Sequence, residues 1–367
     1  MKLRYKIGIG FLGVLVVAVT ALALVLSNNS PCTDPPAVAA GEESMQAAVY
    51  TCYGGPEVLQ IVTQAKPVPA EDEVLVRVHA AAVNPLDWHY LRGEPYFMRL
   101  ASGLGAPADI RLGVDFAGTV EAVGAGVTDF AVGDRVFGGS AGAFGEYVTV
   151  ATDGPLVKMP AGLDFEQAAA MPIAGLTALQ ALRDKGQLQP GQKVLINGAS
   201  GGVGSLAVQL AKASGAEVTG VCSTRNVDLV LALGADHVID YKKQSYVEGD
   251  QRYDLVVDMV GNHSISANRS VITDNGRYVI VGGPPGKWLG PMVRPIGAAI
   301  QNQFTDQELI MLLARLKKDD LEVLADAMAA AQLTAMIDRH FTLEELPEAI
   351  SHSETGRARG KIIIDLR

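Results

Sequence analysis

The chain is short of cysteine, of charge and of basic clusters. Only Cys32, Cys52 and Cys222 occur in 367 residues, too few for a disulfide framework, and no Cys-x-x-Cys or His-x-x-x-His pair offers zinc spacing. Charged side chains make up 19% of the chain, and no Lys/Arg block exceeds a pair such as Lys242-Lys243. With 40 acidic against 30 basic residues the formal charge is −10, which excludes nucleic acid as a main partner. Internal repeats and low-complexity tracts are missing too. What is present is 49% apolar residues and 40 glycines, in interleaved apolar runs that rule out a disordered or collagen-like chain. The length suggests about two domains at ~150 residues each.

The first 44 residues stand apart. Lys2, Arg4 and Lys6 precede Ile7 to Leu26, a run without charge that as a helix spans ~30 Å, the thickness of a hydrocarbon core. An uncleaved single-pass anchor is the favoured reading. A signal peptide cut after Ser27 or Ala39 and a buried core helix are the alternatives. Cys32 does not resemble a lipoprotein processing site. Residues 28–44, with three prolines, read as a linker. No Lys or Arg follows the run until Lys66, so the positive-inside rule sends the following domain to the exoplasmic or periplasmic side. The supply of a cytosolic cofactor argues for the cytoplasmic face.

From Met45 to about Ala151 short β runs are broken by glycine: 46–51, 59–62, 73–83, 119–123, 135–137 and 146–150. Val74, Val76 and Val78 alternate with Leu75, Arg77 and His79, the period of a half-buried strand. This half reads as a closed or strongly bent β domain. After Met171 strands and helices alternate. Val194-Leu195-Ile196 is a short apolar strand, and Val203, Leu206, Ala207, Leu210 and Ala211 share one helix face. Further strands are expected at 218–222, 237–240, 255–259, 278–281 and 361–366, which implies an α/β, doubly wound parallel sheet. Thr305-x-x-Glu308 and Thr342-x-x-Glu345 read as capping boxes opening two helices.

Between that first parallel strand and its helix lies Asn197-Gly198-Ala199-Ser200-Gly201-Gly202-Val203-Gly204. Small residues let the backbone approach a pyrophosphate, and free N–H groups at the helix start bind the anion. Ala199, Ser200, Gly201, Gly202, Val203 and Gly204 are therefore expected to hold a dinucleotide. At the end of the second strand, Val221-Cys222-Ser223-Thr224-Arg225-Asn226 has no acid until Asp228. Ser223 and Arg225 can donate to a 2′-phosphate where a carboxylate would repel it, so NADPH is favoured over NADH.

Several phrases, in order, resemble the medium-chain dehydrogenase/reductase superfamily, in particular its zinc-free quinone oxidoreductase branch: Ala82-Val83-Asn84-Pro85-Leu86-Asp87, Gly113-Val114-Asp115-Phe116-Ala117-Gly118, Val132-Gly133-Asp134-Arg135-Val136, the glycine string, Leu233-Gly234-Ala235-Asp236 and Arg359-Gly360-Lys361. The resemblance runs from Met45 to Leu366. It implies a GroES-like catalytic β domain (45–171), a Rossmann NADPH domain (172–304) and a C-terminal return to the catalytic domain (305–367), with one hydrophobic helix ahead of them. Zinc-dependent members place a cysteine near Val83-Asn84 and a His-Glu pair at Val114-Asp115, so no metal site is expected here. The resemblance further implies a zinc-independent reductase passing hydride to a quinone or an α,β-unsaturated carbonyl. Enoyl-thioester or alkenal reduction and a non-catalytic NADPH-binding scaffold are the alternatives.

The family's cleft positions map onto Asn84, a donor for the oxygen that becomes negative, and Asp87, which orients the loop. His89, Tyr90 and Tyr96 are proton-donor candidates. The resemblance also assigns Thr177 to the nicotinamide and Val260, Gly261, Gly282 and Gly283 to its ribose side. Tyr241 falls to the adenine ribose or 2′-phosphate, and Lys361 to the domain seam. A homodimer is compatible with the family. Substrate choice is expected to lie in variable loops at 93–111 and 284–303.

Overall fold

The computed structural model describes residues 16–284, 286–288 and 290–366. Two short strands, β1 (Ser44–Val49) and β2 (Gln60–Ala65), pair antiparallel. The long strand β3 (Glu73–Val83) is the spine of a second sheet with β4 (Asp115–Val123), β5 (Arg135–Gly139), β6 (Tyr147–Ala151) and β7 (Leu156–Lys158). Val74, Val76 and Val78 are all buried, but so are Leu75 and the run Ala80 to Val83, so β3 is covered on both faces along most of its length and is not the half-buried strand that the alternation suggests. The charge of Arg77 is carried where the strand is exposed.

The second half is a six-stranded, wholly parallel sheet of β8 (Lys193–Asn197), β9 (Glu217–Cys222), β10 (His237–Asp240), β11 (Tyr253–Asp258), β12 (Ile272–Ile280) and β13 (Glu308–Met311). Its order, β10-β9-β8-β11-β12-β13, reverses direction between β8 and β11. That reversal opens a crevice beyond the carboxyl ends of the strands. Two last strands, β14 (Ile337–Thr342) and β15 (Lys361–Asp365), return to the first sheet, where β15 pairs antiparallel with β3. The fold is thus the GroES-like and Rossmann pair that the resemblance implies.

Helices in chain order begin with α1 (residues 16–27), α2 (Pro85–Arg92), α3 (Arg99–Ser102), α4 (Phe165–Ala169), α5 (Pro172–Leu179) and α6 (Gly202–Ala213). They continue with α7 (Val227–Ala232), α8 (Ile265–Arg269), α9 (Gly290–Gln301), α10 (Lys318–Ala329) and α11 (Leu346–Glu354). The expected face of α6 packs into the core through Leu206, Ala207, Leu210 and Ala211.

Several expectations are corrected. Cys32 and Cys52 form a disulfide, Cα–Cα 4.7 Å, and Cys222 is free and buried. Composition could exclude a framework of several bridges but could not see that folding brings one pair together. Residues 28–33 are no free linker: Ser30 N donates to Gly105 O, and Thr33 and Thr51 bond reciprocally. Thr305 does not open a helix; its Oγ1 accepts from Gln307 N in a turn that leads into β13, so the parallel sheet runs beyond residue 304. At Thr342 half the capping box forms, with Glu345 Oε2 accepting from Thr342 N ahead of α11. The segment 284–303, expected as loop, holds α9. Of the apolar run 7–26, residues 7–15 lie outside the described residues. Among the described residues no helix is long and apolar enough to cross a membrane.

Candidate active site

Two clusters of polar side chains form at the crevice, one at the seam of the domains and one at the outer end of β9. The seam cluster starts where β3 ends. Asn84 caps α2 in extended backbone, with Pro85 at the first helical position, a placement that suits a residue whose own N–H is not needed in the helix. Asn84 N donates to Asp87 Oδ2 at 2.7 Å. The Asn84 amide is fully engaged: Nδ2 donates to Asp115 Oδ2 at 2.9 Å and to Ala82 O at 3.3 Å, and Oδ1 accepts from Lys361 Nζ at 2.6 Å.

Lys361, first residue of β15, also reaches Asp115 Oδ2 at 3.2 Å. Asp115 Oδ1 accepts from Ile173 N at the start of α5. One turn on, Thr177 Oγ1 donates back to Ile173 O. Asn84, Asp87, Asp115, Thr177 and Lys361 are all buried. Burial pushes Asp87 up to about 7 and raises Asp115, with Lys361 pulling both back down. Among the described residues neither Asp87 Oδ1 nor Trp88 Nε1 has a hydrogen-bond partner.

Of the proton-donor candidates, His89 is committed. Its Nδ1 lies 2.7 Å from Glu94 O, and because a carbonyl only accepts, Nδ1 carries the proton. Burial lowers the pKa of the ring, so neutral His89 presents Nε2 as an acceptor. Tyr90 packs against the first-domain core. Tyr96 meets Trp288 edge-on at 4.7 Å, and its backbone N donates to Lys287 O across the domain boundary. Among the described residues no partner takes the Tyr96 hydroxyl.

The glycine string turns from β8 into α6. Gly198 has φ +95°, and a Cβ at Gly204 would lie 2.1 Å from Gly198 O, so both positions demand glycine. No side chain caps the start of α6, which leaves its first N–H groups for an anion. The Lys361 stem lies against Gly202: a Cβ there would come within 3.1 Å of Lys361 Cδ. The seam and the loop are therefore one site. Val260-Gly261 and Gly282-Gly283 also meet, since a Cβ on Gly261 would sit 3.0 Å from Gly283 Cα.

A buried network holds that second pair of turns. Asp258 Oδ1 accepts from Asn197 Nδ2, Val260 N and Gly261 N, and Oδ2 accepts from Tyr278 OH and Arg294 Nη2. Sequence reasoning missed Asp258, Tyr278 and Arg294. The available signal was an acid ending an apolar strand two residues before Val260-Gly261. It also missed Asn226, whose Nδ2 donates to Ser200 Oγ at 2.8 Å and ties the end of β9 to the glycine loop. Asp115 was read only as a replaced metal position.

The outer cluster is exposed. Arg225 Nη2 donates to Arg357 O. Tyr241, 52% exposed, is placed beside the end of β9 by its N–H to Cys222 O, and Lys242 Nζ lies 5.2 Å from its ring centroid. Ser223 opens the turn at 224–226. These groups fit a phosphorylated ribose, and the uncapped α6 fits a pyrophosphate. Among the described residues no group of three His, Cys, Asp or Glu side chains is close enough to hold a metal.

A parallel sheet with a glycine loop at its switch point, closed by a β domain that sends a lysine into the seam, is the architecture of a two-domain dehydrogenase or reductase. Residues 70–161 match the alcohol dehydrogenase GroES-like domain, and residues 233–364 match the zinc-binding dehydrogenase family. The chain is 34% identical over 340 residues to the chloroplast envelope quinone oxidoreductase homolog of Arabidopsis thaliana, covering 88% of this chain and 98% of that protein. It is 35% identical over 255 residues to quinone oxidoreductase of Homo sapiens, covering 67% and 75%. The solved quinone oxidoreductase from Coxiella burnetii superimposes with a TM-score of 0.77 at 30% identity, over 89% of this chain and all of that one. That of Escherichia coli, complexed with NADPH, gives 0.75 at 27%, over 87% and 99%. The chain belongs to the medium-chain dehydrogenase/reductase superfamily, and within it to the quinone oxidoreductase branch.

Proposed function

We propose that the protein is a zinc-independent, NADPH-dependent reductase that passes hydride to a quinone or an α,β-unsaturated carbonyl. The observation that carries this reading is Lys361, whose stem rests on the glycine loop while its ammonium binds Asn84 and Asp115. Asn84 and Asp115 lie where zinc-dependent relatives place ligands, and here a fixed ammonium joins them. NADPH would be held by the start of α6, by Thr177 and the paired turns at 260–261 and 282–283, and by Ser223, Arg225 and Tyr241. It would supply the hydride. The Escherichia coli quinone oxidoreductase structure, a complex with NADPH, supports the choice of cofactor.

The chain's own part is to position and polarise. With the Asn84 amide and His89 Nδ1 both committed and Tyr90 packed against the first-domain core, Tyr96 is the candidate we assign to donate to the acceptor oxygen. Tyr96→Phe is expected to lower turnover roughly 10- to 100-fold, below the ~2.7–4 kcal/mol of a sealed oxyanion donor, with little change in NADPH affinity. An unchanged turnover number would remove Tyr96 from the chemistry. Steady-state NADPH oxidation with a quinone, an alkenal and an enoyl thioester tests the function itself. Turnover of the thioester alone would select the alternative substrate class, and binding without any turnover would make the protein a scaffold.

Residues 7–26 are read as an anchor, with the enzyme on the exoplasmic or periplasmic side. The Cys32–Cys52 bridge supports that side, because structural disulfides persist in oxidising compartments. Protease access in spheroplasts with an intact inner membrane tests it. Protection until detergent is added would put the domain on the cytoplasmic face.

A further inference from the structure

Arg99 serves no step of the hydride chemistry, yet it is among the most buried side chains of the molecule, 1% exposed. None of the ion pairs among the described residues includes it. Its guanidinium is spent on backbone carbonyls instead: Nε donates to Gly93 O at 2.8 Å, Nη2 to Arg92 O at 3.2 Å, and Nη1 to Leu26 O at 2.9 Å and Asn28 O at 3.0 Å. The rings of Tyr53 and Tyr96 lie 4.4 and 4.6 Å from it. Leu26 and Asn28 stand at the carboxyl end of α1, where the last carbonyls lack helical partners and a cation is favoured by the helix dipole. Arg99 is therefore the C-terminal cap of α1, reached from another part of the chain.

The segment that follows is pinned as well. Ser30 binds Gly105, Thr33 binds Thr51, and Cys32 is bridged to Cys52. So α1 leaves the body from a rigid base, and beyond Leu26 its apolar side chains are open to solvent, with Val17 at 69% and Leu24 at 66%. Around that base the loop carrying Arg99 shows Phe97, Leu100 and Leu104, 40%, 66% and 55% exposed. Isolated exposed apolar residues are ordinary, but a group continuous with an apolar helix marks an interaction face.

We propose that this face lies in the interfacial layer of a lipid bilayer, and that Arg99 and the Cys32–Cys52 bridge hold the enzyme against the membrane in one orientation. The inference rests on the anchor reading of residues 7–26. That reading is also why lipid, rather than a second copy, is the occupant: α1 is the end of an uncharged twenty-residue run preceded by three basic residues, the pattern of a span and not of a protein interface. On the same side Tyr96 packs on Arg99 and crosses to Trp288 of the other domain. An apolar acceptor dissolved in the bilayer would then approach along the Tyr96–Trp288 crossing.

The test uses the full chain in phosphatidylcholine–phosphatidylglycerol vesicles, labelled at Leu100→Cys with a polarity-sensitive dye, with Leu231→Cys at the far end of α7 as reference. The dye at 100 is expected to shift to the blue and to lose most of its emission to lipids spin-labelled near the headgroup, while the dye at 231 keeps its aqueous spectrum. Flotation of the same samples separates the two ideas. If the chain floats with the vesicles but position 100 is as wet as 231, the anchor stands and the fixed orientation is overturned. If the chain does not float, the anchor reading fails and this inference with it. A blue shift that needs no lipid and grows with protein concentration assigns the face to a second copy and overturns the proposal.

Discussion

The two polar clusters of the crevice are built on opposite terms. At the seam, Asn84, Asp115 and Lys361 are buried, and the bonds that join the three span 31 to 277 residues of the chain. At the end of β9, Ser223, Arg225 and Tyr241 come from neighbouring strand ends, and Arg225 and Tyr241 are open to water; among the described residues their side chains make one hydrogen bond, Arg225 to Arg357 O. A buried ionic network cannot lose a member without stranding a charge, whereas an exposed cluster can be edited at small cost to the fold. The seam therefore welds β3, β4 and β15 into one wall, which meets the second domain through Asp115 to Ile173 N and the Lys361 stem beside Gly202. The outer cluster can specialise in cofactor choice alone.

Four measurements bear on that contrast, the strongest at the seam. Lys361→Met leaves Asp115 buried without its cation and is expected to cost about 3–5 kcal/mol of stability together with turnover. A denaturation midpoint equal to that of the wild type would show that the seam is not the weld described. Asp87 comes next. Its carboxyl is pushed up to about 7 from 3.8, so folding favours the protonated form; the stability this confers is complete below pH 3.8 and drains away as pH rises through 7. The loss is bounded at about 4 kcal/mol by ~1.4 kcal/mol for each pH unit. Asp87→Asn removes the titrating group, and its chemical denaturation should depend less on pH between 5 and 8 than that of the wild type. Parallel curves for the two proteins would contradict the assignment.

At the outer cluster the effect is smaller and selective. Arg225→Ala should weaken NADPH roughly tenfold, the low end of a charge-assisted hydrogen bond because the site is wet, and leave NADH nearly unchanged with no loss of stability. Equal losses for both cofactors would remove Arg225 from the 2′-phosphate site. The smallest effect is expected from metal removal. Dialysis against a strong chelator should leave activity intact, since the Lys361 ammonium bonds both Asn84 and Asp115; one tightly bound zinc per chain, required for turnover, would refute the zinc-independent reading.

Local patterns settled a good deal of this protein in advance. The run of strand-forming residues marked β3, though not which faces it buries, and the apolar triplet, glycine string and amphipathic run marked β8, the loop and α6, because each depends on neighbours within a dozen positions. The resemblance named the seam residues, but nothing near Asn84 in the chain shows that Lys361 and Asp115 will occupy its amide. Short strands such as β13 and β14, with four and six residues, carry too little periodicity to be read alone. Their pairing with β12 and β15 defines them.

The amino-acid sequence by itself determined the alternation of strands and helices, the anion-binding turn and the missing acid after β9, all of which are consequences of backbone geometry and charge within single segments. Only the tertiary structure decided which atoms remained free to act. It joined Lys361 to Asn84, Cys32 to Cys52 and Arg99 to the end of α1, because a hydrogen bond or a bridge between distant residues exists only after the chain has closed the loops between them, and no local period records where those closures fall.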